Sequence, residues 1–565
     1  MSSSAAANRP RRDSTPPGAR ETATPALSVR GLTVQLRGRG ASGTLLEGLD
    51  LDLPAGEITG LAGASGSGKT LTTLALMGLA DPGTFRVRAQ QVLLAGEPID
   101  LANQRQLGGL RGDHMAMVFQ DPATALDPVF TIGYQVAAPL RRRSGGRSHK
   151  ARDLALAALS AVGFPEPELI AARYPHELSG GQRQRCVIAM AQALQPAVLF
   201  ADEPTTALDT LTQQVVLAEL DRLASECGTA ILLVSHDLRL MAQHARSVLV
   251  MASGKIVEAL DAVKLGTGAR HPCTRRLVDA LPRIPKTPDP PNSALADPSA
   301  DQAMREPLLD IIDVTSGYPP RRALLPGRVR GENTLHGVSL SVYAGEIHGV
   351  AGESGCGKST LARMLVQLLP VRSGSLRLDG EDLGGADREQ RRRWQRRLQL
   401  VFQDPGSALS PRRTVAQTLS EAAQHFGRSD ARPQLEKTLA DVEMDAAALD
   451  RLPGQFSSGQ RQRIALASAL IGEPDLLIAD EALSALDLPV QADILKLLNR
   501  LRTQRGLAIL LISHDLALLR AHADTISVMD GGRIIEQGTP QALFSAPASA
   551  LTRRLIAAIP RLEAG

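Results

Sequence analysis

The chain's 565 residues, 43% hydrophobic and 22% charged, suit a folded protein of roughly four units at about 150 residues each. Lys and Arg number 63 against 59 Asp and Glu, a net charge of +4, so nothing here points to nucleic acid, whose binders usually carry a clustered basic face. Cys186, Cys227, Cys273 and Cys356 form no CxxC pair, which argues against zinc, iron–sulfur and disulfide frameworks, and no apolar run nears the roughly 18 residues of a membrane span.

Residues 1–26, rich in Ser, Ala, Pro and Arg, read as a disordered tail without the apolar stretch of a secretory signal. A first α/β unit is expected over 27–265. In it the apolar Ile58–Ala62 predicts a buried strand that runs into Gly63, Ala64, Ser65, Gly66, Ser67, Gly68, Lys69 and Thr70, followed by helical spacing. Strand, glycine-rich loop with Lys-Thr, then helix is the setting of a phosphate site. The glycines let backbone N–H groups converge on phosphate oxygens, and the helix N-terminus adds positive potential. Lys69 is placed to reach the β- and γ-phosphates, and the Thr70 hydroxyl to ligate Mg²⁺.

Further along come VFQDP with Gln120, then LSGGQ with Ser179, Gly180, Gly181 and Gln182, then an apolar strand ending in Asp202 and Glu203. One carboxylate can hold magnesium through water while the other orients or deprotonates the attacking water. Taken alone, such an acid pair is more often a helix N-cap, and its place well downstream of a phosphate loop reverses that reading. His236 follows a second apolar strand and is within reach of a γ-phosphate, although a histidine at a strand end is usually structural. The stretch 266–307 combines a short tail with a Pro-rich, aromatic-free linker from Pro282 to Pro307, able to span about 80 Å at most and readable also as an interaction tail.

The same series then returns over 308–545, followed by a second tail at 546–565. The loop reappears as Gly352, Glu353, Ser354, Gly355, Cys356, Gly357, Lys358, Ser359 and Thr360; VFQDP as the segment with Gln403; LSGGQ as FSSGQ with Ser457, Ser458, Gly459 and Gln460; the acids as Asp480 and Glu481; the histidine as His514. Order is kept throughout, which makes this a duplicated domain rather than a short-period repeat.

Both halves resemble ATP-binding-cassette nucleotide-binding domains, on LSGGQ lying between a phosphate loop and an acid pair. The resemblance implies an α/β fold class: two P-loop NTPase domains in tandem, each with a RecA-like core, an antiparallel β subdomain and a helical subdomain, the last over roughly 121–177 and 404–455. It implies ATP and Mg²⁺ as ligands, with Thr70, Gln120, Asp202, Ser359, Gln403 and Asp480 around the metal. Glu203, His236, Glu481 and His514 would be catalytic, and Asp209 and Asp487 would be the D-loop aspartates. In that family two domains sandwich two ATP molecules head to tail, each signature capping the nucleotide of the other half. VFQDPATALDPVFTIG and the tails HPCTRRLVDALP and ALTRRLIAAIP are similar to those of peptide and nickel importers, and Ala482 in DEALSALD resembles nickel-type members. This implies two separate membrane permease subunits, a solute-binding protein, a place at the cytoplasmic face of the inner membrane, and a peptide, nickel, metal-chelate or opine-like cargo. A soluble tandem ATPase acting on ribosomes and an exporter ATPase are the alternative readings.

The two halves differ at two positions of that plan. The family stacks adenine on an aromatic ring ahead of the phosphate loop; Tyr318 fits in the second half, whereas the first half has Leu36. Ser458 replaces a glycine whose backbone approaches the γ-phosphate, and its side chain is expected to crowd that approach. Head-to-tail pairing puts Leu36, Lys69, Glu203 and FSSGQ in one composite site, and Tyr318, Lys358, Glu481 and LSGGQ in the other, which is expected to bind and turn over ATP better. The runs Arg141–Arg143 and Arg391–Arg393 read as solvated helix faces or lipid-headgroup contacts, and Trp394, the one tryptophan, as packing.

Overall fold

Runs such as Ile58–Gly63 and Val198–Asp202 are buried at every position, the pattern of strands covered on both faces of a parallel sheet, while Leu27–Leu36 alternates inward Leu27, Val29, Leu32 and Val34 with wetter neighbours, the pattern of a sheet covered on one face. A computed structural model describes residues 24–38, 43–143, 148–205, 208–282, 306–318, 333–383, 387–402, 408–484, 486–560 and 562. Most of the expected disordered tail and of the Pro-rich linker, Gln403, and the side chains of Arg142 and Arg143 lie outside the described residues.

The first half contains β1 (Leu27–Leu36), β2 (Thr44–Leu53), β3 (Ile58–Gly63), β4 (Phe85–Arg88), β5 (Gln91–Leu94), β6 (Glu97–Pro98), β7 (Met115–Val118), β8 (Val198–Asp202), β9 (Ala230–Val234), β10 (Ser247–Ala252) and β11 (Lys255–Asp261). An antiparallel sheet has the order β2-β1-β5-β6, with β4 also on β1. The core sheet runs β11-β10-β3-β9-β8-β7, parallel except for β11. Helices Ile132–Arg143, Ser148–Ala161 and Pro167–Ala172 form the helical part. They share one apolar core with the signature helix and the core sheet through Ile132, Val136, Leu159, Ile188 and Leu199.

The second half repeats the plan with β12 (Leu309–Ser316), β13 (Leu335–Val342), β14 (Ile347–Gly352), β15 (Val371–Leu378), β16 (Glu381–Asp382), β17 (Leu398–Val401), β18 (Leu476–Asp480), β19 (Ala508–Ile512), β20 (Thr525–Asp530) and β21 (Arg533–Gly538). Its core order, β17-β18-β19-β14-β20-β21, is that of the first half read from the other edge. The architecture is thus the expected tandem α/β pair. Trp394 is buried against Leu361, Leu398 and Leu476, and Arg391, Arg392 and Arg393 are exposed.

The two tails cross over. The helix Pro272–Asp279 of the first half lies on the helix Leu488–Arg505 of the second, and Ala550–Ala557 lies on Thr210–Cys227 of the first, where Gln214 Nε2 donates to the carbonyl of Ala558 at 3.0 Å. Leu488 is buried in the first half's core and Leu211 packs against the second's. Among the described residues no helix is long and apolar enough to cross a membrane.

Candidate functional site

Each phosphate loop leaves the C-terminal end of a central parallel strand, β3 or β14, and enters a helix, Lys69–Leu76 or Lys358–Leu365. The loop backbone turns through the left-handed region at Gly66 and Gly68, with φ of 77° and 106°, and at Gly355 and Gly357, with 83° and 111°. Space as well as torsion demands glycine at 68, because a Cβ there would stand 2.4 Å from Leu46 Cδ2. Lys69 Nζ donates to the carbonyls of Gly63 and Ala64 at 2.8 and 3.1 Å, and Lys358 Nζ to those of Gly352 and Glu353, both at 2.9 Å. Both ammonium groups are thereby held inside their own loops. Burial pushes the Lys69 pKa down, against the pull of Glu203, Asp487 and Asp202.

The acids lie one strand away from the loops, across β9 or β19. Glu203 and Glu481 follow the last residues of β8 and β18 with φ of 48° each, a conformation that L side chains adopt at a cost of about 1–3 kcal/mol and that clusters at functional sites. Gln120 Nε2 donates to Glu203 Oε2 at 2.9 Å. His236 Nδ1 is 3.7 Å from Glu203 Oε2, and His514 Nδ1 is 3.8 Å from Glu481 Oε1. Burial works to raise the Glu481 pKa, but the hydrogen bond and charge of His514 together with Lys358 hold it below the usual carboxylate range. Burial likewise works to lower the His236 pKa, and Glu203 outweighs it, so that imidazole is raised.

Asp202 behaves differently from its neighbour. Burial pushes its carboxyl up to about 6, only partly offset by a hydrogen bond from Thr70 and by the charge of Lys69. Its Oδ1 is buried with no partner among the described residues, a desolvated acceptor that a cation would satisfy. Asp480 is also raised by burial, against a hydrogen bond donated by Ser359 Oγ to Asp480 Oδ1 at 3.1 Å. In both halves, then, a loop hydroxyl and a desolvated carboxylate sit beside the phosphate cradle, a donor set of all-oxygen character that fits Mg²⁺.

The two signatures open helices Gly180–Ala193 and Ser458–Leu470. Ser179 Oγ accepts from Gln182 N and Ser457 Oγ from Gln460 N, both at 3.3 Å, while each glutamine side chain accepts from the serine's own N–H. The motif is therefore a capping box in both halves. Among the described residues no hydrogen bond joins either signature to the opposite phosphate loop. That cross-contact is made by a D-loop instead: Ser65 N donates to Asp487 Oδ2 at 3.0 Å. Asp209 stays at home, accepting from Thr212 N at 2.9 Å. At Gly180 an added Cβ meets nothing within 4 Å, whereas at Gly459 it would stand 2.4 Å from Val490 Cγ1. Ser458, which stands at the place of Gly180, is half-buried.

Leu36 ends β1 at 39% exposure, and Tyr318 follows β12 at 43%. Tyr318 Oη accepts from Arg363 Nη1 at 2.5 Å, and its carbonyl from Arg372 Nη2 at 2.7 Å. In the first half Leu74 stands in Arg363's position on the loop helix, so ring and anchor are both missing there. Two further residues escaped the motif reading altogether, Thr210 and Arg239, which reach into the second half. The signal available was their failure to repeat: Leu488 and Ala517 hold their places.

A strand-loop-helix phosphate cradle opposed by an acid and a histidine, built twice and joined loop to D-loop, defines the class as a tandem P-loop ATPase. The ABC transporter family model matches residues 46–206 and 335–484, and the chain belongs to that family. It is 36% identical over 556 residues to the glutathione import ATP-binding protein GsiA of Pectobacterium atrosepticum, covering 94% of this chain and 89% of that one. It is 36% identical over 544 residues to the peptidoglycan transport ATP-binding protein YejF of Agrobacterium fabrum, covering 96% and 97%. To GsiA of Escherichia coli it is 37% identical over 537 residues, covering 91% and 86%. The chain binds ATP and is an ATPase of the transporter type.

Proposed function

We propose that this chain powers an importer of small peptides or peptide-like solutes such as glutathione, docking on separate membrane permease subunits at the cytoplasmic face of the membrane, with a solute-binding protein delivering the cargo. The observation that carries the reading is the near-full-length similarity to two ATP-binding subunits whose names describe glutathione import and peptidoglycan transport. Among the cargoes that the sequence left open, these relatives favour peptides over nickel, metal chelates or opine-like solutes. The permease subunits would dock beside Gln120 and the helical part, where Val129, Phe130 and Tyr134 are exposed.

In this reading the two halves close head to tail on two ATP molecules. The loop N–H groups and Lys69 or Lys358 bind the phosphates, Lys exchanging its loop carbonyls for phosphate oxygens. Glu203 and Glu481 orient the attacking water and accept its proton, with His236 and His514 holding each carboxylate in place and facing the γ-phosphate. Thr70 with Asp202, and Ser359 with Asp480, would hold Mg²⁺, which supplies charge neutralisation at the phosphates. ATP adds contacts to both halves, so it favours the closed pair, and hydrolysis removes them. The test is reconstitution in vesicles with the membrane subunits that copurify with the chain, measuring ATP-driven uptake of labelled glutathione and short peptides against labelled nickel. Peptide uptake that vanishes in the Lys69→Ala, Lys358→Ala double variant supports the reading. Nickel uptake without peptide uptake, or copurification with ribosomes, overturns it.

A further inference from the structure

The centre of the molecule, where the two halves meet, is not symmetric. Arg239 opens the helix Leu238–His244, and its side chain is 93% buried, being 7% exposed. It fastens Asp237 of its own half, with Nε 3.0 Å from Oδ1 and Nη2 2.9 Å from Oδ2, and the same Nη2 donates to Asp515 Oδ2 of the second half at 3.0 Å. Asp237 and Asp515 directly follow His236 and His514. One guanidinium therefore ties together the two segments that carry the histidines, across a cleft lined also by Thr205, Gln213, Ser484 and Gln491. Beside it, Thr210 Oγ1 donates to the carbonyl of His514 at 3.0 Å.

None of this is reciprocated. The second half presents Leu488 in place of Thr210 and Ala517 in place of Arg239, and among the described residues His236 receives no matching hydrogen bond or ion pair from across the cleft. The segment of His236 is held from within its own half, whereas that of His514 is held partly by the other. Arg239 lies between Asp237 and Asp515 and offsets their like charges. Asp515 still caps its own helix by accepting from Ala517 N and Leu518 N at 2.8 and 3.2 Å. The second half thus shows that such a histidine segment folds with alanine at this position.

We propose that Arg239 and Thr210 of the first half form a one-way clasp that positions His514, and through it Glu481, so that hydrolysis at the site of Lys358 depends on a contact from the first half that the site of Lys69 does not need. Arg239 and Thr210 are positioning residues in this scheme. It rests on the two-site ATPase reading above.

The experiment uses the full chain with one site silenced at a time. In Glu203→Gln, which leaves the Lys358 site active, adding Arg239→Ala is expected to lower kcat about 10-fold, as fits loss of a charge-assisted contact, and to change the KM for ATP less than about twofold. Thr210→Val, which removes one hydroxyl without changing shape, should lower kcat about threefold. In Glu481→Gln, which leaves the Lys69 site active, both additions should change kcat less than about twofold, and Arg239→Lys in the first background should recover much of the rate. Equal losses in the two backgrounds, or none in either, would overturn the clasp. If neither glutamine variant alone reduces ATP turnover, the two-site reading itself fails, and the clasp with it.

Discussion

In the first half the residue three places after His236 is a buried arginine, and three places after His514 in the second it is an alanine; around the end of its first strand the first half carries Leu36, and the second carries Tyr318 tied to Arg363. These differences are not scattered. The second half holds the aromatic ring, the first half holds the proposed clasp, and in the head-to-tail reading proposed above both would serve the same composite site, that of Lys358. The D-loop contact runs the opposite way, from Asp487 to Ser65. A duplicated domain freed from strict symmetry can thus concentrate binding contacts in one site and leave the other to be held by its partner's D-loop. Under that reading, equal motifs give unequal sites because the residues between the motifs differ.

The ranking of the two sites breaks most easily at the catalytic acids. Glu481→Gln should lower total ATP turnover about 100-fold, the scale of a lost general base, and Glu203→Gln by less than about twofold; steady-state ATPase assays measure both, and matched losses would erase the ranking. The metal-side acids allow a sharper test through pH. Asp202 has its carboxyl raised from 3.8 to about 6 by burial, so the folded nucleotide-free chain binds that proton more tightly than the unfolded chain. This contribution to stability is complete below about pH 4 and is lost as pH rises through about 6, amounting to about 3 kcal/mol. Urea unfolding of the chain between pH 4.5 and 8, without Mg²⁺ or nucleotide, should show about 2 kcal/mol of that loss, and Asp202→Asn should remove it. Comparison with Asp480→Asn shows whether the halves differ here as well.

At the adenine position, Tyr318→Ala should weaken ATP binding about 10-fold at the Lys358 site, in keeping with about 1–3 kcal/mol for stacking. Leu36→Tyr should tighten the other site by less, because no arginine anchors the new ring. Fluorescent-nucleotide titration in the two single-site variants measures both. The signature glycines are tested through stability. Gly459→Ala should lower stability by about 1–3 kcal/mol through its clash with Val490. Gly180→Ser, which copies the second half's sequence into open space, should stay within about 0.5 kcal/mol by thermal unfolding.

Much of this protein was written locally. A phosphate loop is specified by a handful of neighbouring residues, because the glycine torsions, the lysine that folds back on the loop carbonyls and the helix that follows are all short-range consequences of one stretch of chain. The same holds for the capping boxes at Ser179 and Ser457 and for the all-apolar strands that deliver Asp202 and Asp480, so the fold class and the positions of the phosphate cradles were legible from pattern alone. Tertiary structure decided what no local pattern encodes. Arg239 meets Asp515, Ser65 meets Asp487, and each tail helix lies on the opposite half, because the packing of one half against the other brings together residues hundreds of positions apart. Such contacts are made by loops and helices of the two halves and depend on the orientation of one domain against the other, and side-chain periodicity, which reports only on which face of its own element a residue occupies, carries no record of it.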